Sequence, residues 1–150
     1  MTKATAIKNS IEAILNSLKR QEVLADVQRM SPKKNLLSMD FSAFPVAVLP
    51  SAATSSVAYD NTDNLRTYTF QIWVLMNADD VENDSQVDDL IEAILNAFDN
   101  DVQLKGDEAT GTAEGGSSPA SSEPGPVEGT NYIAFSITIQ AKALRQITLT

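Results

Sequence analysis

The chain contains no cysteine and no histidine. Without cysteine there is no disulfide, no thiolate nucleophile and no Cys-ligated zinc site. Without histidine, the commonest general base and the commonest transition-metal ligand are missing together. Glycine is scarce, and all six glycines lie between 106 and 129. The rest of the chain therefore holds no phosphate-cradling glycine loop, and no nucleophile elbow occurs. No apolar run reaches the roughly 18 residues of a membrane span. The stretch Met1-Thr2-Lys3-Ala4-Thr5-Ala6 leads into an amphipathic pattern rather than a signal-peptide core. These absences predict a soluble protein made in the cytoplasm, not an enzyme, with no catalytic, cofactor-binding or metal-binding residues.

Positive charge is also short. Eleven basic residues face twenty acidic ones, for a net charge of −9. Residues 1–35 hold seven basic and three acidic side chains, or +4, and the remainder carries −13. A chain this acidic is not expected to bind a phosphate backbone as its main task. The asymmetry serves solubility, or makes a dipolar subunit whose basic end meets an acidic neighbour.

What is present points to one domain. The 150 residues are 43% apolar, enough to bury a core. Ile7, Ile11, Ile14, Leu15 and Leu18 recur at helical spacing, predicting a helix from Thr5 to Ala25 that Ser31-Pro32 follows and excludes from continuing. Val46–Leu49 between Pro45 and Pro50 predicts a brief strand near a sheet edge. Thr54–Tyr59 predicts a second, and Asp60–Asn64 a turn. That turn alternates oxygen side chains as calcium loops do, but Leu65 and Gln71 stand where such a loop needs glycine and glutamate.

Arg66–Met76 is the strongest strand. Tyr68, Phe70, Ile72, Val74 and Met76 share its core face, while Trp73 and Leu75 on the other face require a cover. Val87, Ile91, Ile94, Leu95 and Phe98, with Leu90 beside them, mark a second helix capped by Asp84 or Ser85. A short strand is expected at Val102–Leu104 and a long one over Tyr132–Ala143, with Ile147 and Leu149 continuing its alternation. Between them, about 106–129 is rich in Gly, Ser and Pro, with five acids and no base, and reads as a flexible acidic loop. The predicted fold is α+β: a two-layer sandwich with a mainly antiparallel sheet of four or more strands and two amphipathic helices on one face.

The hexapeptide IEAILN occurs twice, at 11–16 and 91–96. The flanking residues do not continue the identity, so two helices meeting one packing demand explain it better than duplication. Each copy is expected to turn Ile, Ile and Leu to the sheet.

The succession of an amphipathic helix, "NLRTYTFQIWVLMN", "VDDLIEAILNAFDND", a polar loop and "NYIAFSITIQAKAL" resembles the tail terminator (tail completion) proteins of long-tailed bacteriophages. The likeness covers residues 4–144 and rests on element order and on Arg66, Tyr68 and Phe70 opening the long strand. It implies a structural virion protein without a cofactor: a homo-oligomeric ring, hexameric in that family, on the end of the tail tube. Such a ring stops tube assembly and meets the head connector, and DNA crosses its lumen without specific binding. Trp73, Leu75, Arg66, Lys19 and Arg20 are then the candidate subunit interface. The alternatives are another head–tail neck or tube-like virion subunit, or a small cytoplasmic binding or adaptor domain that takes a peptide or small ligand.

Overall fold

The computed structural model describes residues 3–31, 36, 39–58, 63–106, 111–113 and 115–146. In chain order these form α1 (Lys3–Arg20), β1 (Asp26–Arg29), β2 (Val46–Leu49), β3 (Ala53–Ala58), β4 (Asp63–Asn77), a 3-10 turn at Ala78–Asp80, α2 (Asp84–Asp99), β5 (Ser117–Ser121), β6 (Gly125–Pro126) and β7 (Tyr132–Gln146). The architecture is the α+β sandwich expected, one sheet with both helices on one face.

A long two-stranded ribbon organises the sheet. β4 and β7 pair antiparallel without a break from Asp63↔Gln146 to Asn77↔Tyr132. β2 and β3 flank β4 in succession, and β5 and β6 flank β7. Among the described strands only β1, outside β2, runs parallel to its neighbour.

The alternation of β4 decides the two layers. Tyr68, Phe70, Ile72, Val74 and Met76 turn to the helices, where they meet Phe135, Ile137 and Ile139 of β7. From α1 come Ile7, Ile11, Ile14, Leu15 and Leu18, and from α2 come Val87, Leu90, Ile94 and Phe98. The helices are antiparallel: Ser10 of α1 touches Thr112 and Gly106, both beyond the end of α2.

The opposite face carries a smaller cluster of Val46, Val48, Leu75 and Ala134. Its cover is the chain's own segment between β1 and β2, through Met30, Leu36, Met39, Phe41 and Phe44, joined by Tyr132. Phe41, Phe44 and Tyr132 pack with ring centroids 5.2–6.4 Å apart, an ordinary aromatic spacing.

Several local expectations are corrected. α1 stops at Arg20, not Ala25, although no glycine marks the end. Glu22 takes the left-handed position (φ 64°), so that its N–H donates to the Lys19 carbonyl and that of Val23 to the Leu18 carbonyl. This is the paired closure glycine usually provides. It frees Asp26–Arg29 to form β1, too short and polar to be read as a strand. β2 is near the edge as expected, but four-residue β1 lies outside it: the prolines of β2 stand beyond its four paired residues, and the Pro45 carbonyl accepts from Ala25 N–H at 2.8 Å. Val102–Leu104 is a turn rather than a strand. Asp101 carboxylate oxygens accept from the N–H groups of Lys105 (2.8 Å) and Gly106 (2.7 Å), and Leu104 has φ 53°.

The segment 106–129 is not loop throughout, since Ser117–Ser121 and Gly125–Pro126 add to the outer side of β7. Backbone pairing needs no apolar side chain, and Pro119 is tolerated because β5 lies at the sheet edge. In α2 the buried row is Val87, Leu90, Ile94 and Phe98, so Ile91 and Leu95 are only half-buried. The second IEAILN copy is thus rotated relative to the first, whose Ile11, Ile14 and Leu15 are all buried. Of the turn expected at Asp60–Asn64, Asp63 and Asn64 instead open β4, paired with Gln146 and Arg145, and the rest falls outside the described residues, as do 32–35 of the break that begins at Ser31 and the terminal alternation through Ile147 and Leu149.

The cap of α2 is Asn83, not Asp84 or Ser85. Its side chain accepts from Gln86 N–H, and the Gln86 side chain accepts in return from Asn83 N–H at 3.1 Å, a complete capping box. Asn83→Ala is expected to lower stability by about 1 kcal/mol, read as a shift in the urea midpoint at unchanged slope.

Candidate assembly interface

The five residues expected at an interface do not form one patch. Trp73 and Leu75 lie on the face away from the helices, and by strand alternation Arg66 lies on the helix face. Leu75 is sealed by its own chain and has no exposed surface. Trp73 is half-buried and lines a cleft of about 400 Å³ with Leu36, Val127 and Ala134. Arg66 is partly buried, and its Nε has no hydrogen-bond partner among the described residues. A guanidinium N–H shielded from water without an acceptor costs free energy, so Arg66 is a place where a partner group would be gained favourably.

Lys19 and Arg20 diverge. The Lys19 ammonium lies 3.5 Å from the Asp26 carboxylate on β1. Arg20 lines the groove between α1 and α2 beside Asn96, Asn100 and Asp101. Further along the outer side of α1, Arg29 of β1 donates to the Glu12 carboxylate and to Asn9 Oδ1 at 2.7 Å. Burial holds the Lys8 pKa below its ordinary value, the neighbouring Arg29 charge adds to that, and Glu12 opposes it. The Asp26 carboxyl is also held low, first by the Gln28 amide donating to it, then by Val27 N–H and by Lys19, with burial opposing.

The strongest electrostatic feature sits on the other helix. α2 carries Asp84, Asp88, Asp89, Glu92 and Asp99 and no basic residue. Asp84, Asp88 and Glu92 follow at four-residue intervals, a like-charge row that destabilises an isolated helix by about 0.2–0.5 kcal/mol per pair. None of the five carboxylates forms an ion pair among the described residues. α1, by contrast, carries Lys3, Lys8, Lys19 and Arg20 against Glu12 alone. The helix layer is therefore divided into a basic half over β1 and an acidic half over β5. The acids were visible in the sequence as a helix start. Their position over a sheet edge was not, because β5 is hidden in a segment of loop-like composition.

Among the described residues, no group of three or more acidic side chains is arranged to hold a metal ion. No described helix is long and apolar enough to cross a membrane. The arrangement offers surfaces: an acidic helix, a basic helix edge, and a cleft beside Trp73.

No family model matches the chain, and no curated protein matches it in sequence. Among solved structures, the chain is similar to one from the virion of a native gene transfer agent (GTA) particle. The TM-score is 0.60 at 16% identity, over 90% of this chain and 92% of that one. What the two share is the fold, along nearly the full length of both.

Proposed function

We propose that this chain is a structural virion protein that forms a ring at the end of a phage tail tube, ends tube assembly and joins the tail to the head connector. The observation that carries the reading is the near end-to-end fold correspondence with a chain of an assembled phage-like virion. The element order that resembles tail terminators supports the finer role. The ring is a homo-oligomer, a hexamer by that resemblance, and its partners are the tube protein, the connector and passing DNA that it does not bind specifically. It is assembled into the virion after synthesis in the host cytoplasm. Subunit contacts use the polarised helix layer and Arg66, while the Trp73 cleft is available to the tube or connector.

The test is native mass spectrometry with electron microscopy of the purified chain, alone and with tail tubes. The expected result is a closed ring with a mass several-fold above 16.2 kDa. A chain that stays monomeric and never caps tubes overturns the reading. The cleft beside Trp73 favours a second reading, a small binding domain, because its volume lies within the range of ligand pockets. A stable monomer that binds an apolar peptide there would support that reading instead.

A further inference from the structure

We propose that neighbouring copies meet head-to-tail, the acidic groove between α2 and β5 of one copy receiving the basic outer edge of α1 and β1 of the next. The inference rests on the ring reading and specifies its contact. The groove, about 420 Å³, has Ile91 and Pro124 on its walls and Asp88, Glu92 and Glu123 around them. Ile91 is half-buried: it packs in part against the core and leaves its remaining surface on the groove. An apolar wall with a carboxylate rim and no cation is matched by an amphipathic, cationic surface.

Such a surface lies on this same molecule, at the far edge of the sheet. The strand order β1-β2-β4-β7-β5 puts β1 and β5 at opposite ends. α1 stands over the first and α2 over the second. The outer side of α1 presents Lys8 and Lys19, with Arg29 beside them on β1. Lys8 forms no ion pair among the described residues, and the other two, themselves exposed, hold half-buried carboxylates in bridges open to water on the cation side. Bridges at the surface are worth about 0–1 kcal/mol, so re-pairing the exposed cations costs little.

A metal ion is a poor occupant, because the described acids are not clustered to ligate one. Nucleic acid is excluded by charge of the same sign. A second copy brings the required charge, and a contact between two different patches repeats until it closes, giving a ring.

The experiment is a charge exchange on the full chain, with assembly measured by sedimentation velocity and folding by the thermal transition. Asp88→Lys with Glu92→Lys reverses the acidic edge, and Lys8→Glu with Lys19→Glu reverses the basic edge. Each pair is expected to raise the midpoint concentration for assembly by at least about tenfold, as facing like charges repel. One chain carrying all four substitutions should assemble again, and so should an equimolar mixture of the two single-edge variants. If reversal unfolds the chain, Asp88→Asn with Glu92→Gln serves in its place and should still weaken assembly measurably.

Wild-type rings that the single-edge variants form equally well overturn this contact and leave the ring reading standing. Loss of assembly in both single-edge variants with no rescue in the four-site chain or the mixture also overturns it. A wild-type chain that never associates, alone or on tubes, overturns both.

Discussion

Phe70→Ala is expected to lower the unfolding free energy by about 3–5 kcal/mol, the range for truncating a buried phenylalanine. Phe70 has no exposed surface and lies mid-way along β4, paired with Ile139 and flanked on its own face by Tyr68 and Ile72. Its ring faces the helix layer, where residues of α1 and α2 belong to the same cluster. A cavity there is bounded by a rigid sheet on one side and by two helices on the other, so the walls collapse only partly. Since whole domains are stable by about 5–15 kcal/mol, the loss is a large share of the total. Differential scanning calorimetry should show a fall in Tm on the order of 10 °C. Phe70→Leu keeps most of the volume and should cost less than about 1.5 kcal/mol. Equal losses from the two substitutions would mean that packing volume is not what Phe70 supplies.

Gly106→Ala is expected to cost about 2–4 kcal/mol, much more than a surface substitution, because two penalties coincide. Gly106 has φ +56°, which a side chain adopts only with strain. An added Cβ would also stand 2.9 Å from Ala13 Cβ and 3.0 Å from the Ser10 carbonyl oxygen. The turn after α2 is thus docked on α1 through the one residue type that permits the approach. Gly129→Ala provides the comparison: it has φ +79° with nothing within 4 Å, so only the backbone penalty of about 1 kcal/mol applies. Urea unfolding of the two variants separates the contributions. Ala13→Gly should rescue Gly106→Ala in part, since the carbonyl contact remains. Equal effects at 106 and 129 would show that the helix contact is not tight.

Much of this architecture is written in periodicity. The faces of β4 follow from strict alternation between Tyr68 and Met76, and the core stripe of α1 follows from spacings of three and four. What escaped detection was set by backbone geometry or by distant pairing. Glu22 ends α1 in a left-handed conformation that its side chain does not advertise. Asn83 with Gln86 three residues on has the spacing of a capping box, but Asp84 and Ser85 beside it are equally good cap residue types. β5 has the composition of a linker and is a strand because β7 offers an unpaired edge beside it. For the same reason the candidate site was only half legible. Trp73 and Leu75 showed a face in need of a cover, and the acids of α2 are plain in the sequence, but the cleft beside Trp73 and the groove formed with Glu123 depend on where distant segments lie.

The unbroken β4–β7 ribbon also sets a timetable. Every one of its pairs joins residues separated by α2 and all of the 106–129 segment. Pairings so distant along the chain make folding slow, because the intervening loop must be closed before any of them forms. A nascent chain halted before Tyr132 has its two helices and β4 but lacks the strand on which half the core rests, so it exposes Phe70, Ile72 and Val74. The helix face of β4 is therefore completed only once Tyr132–Gln146 is available to pair, so the sheet closes late in the making of the chain.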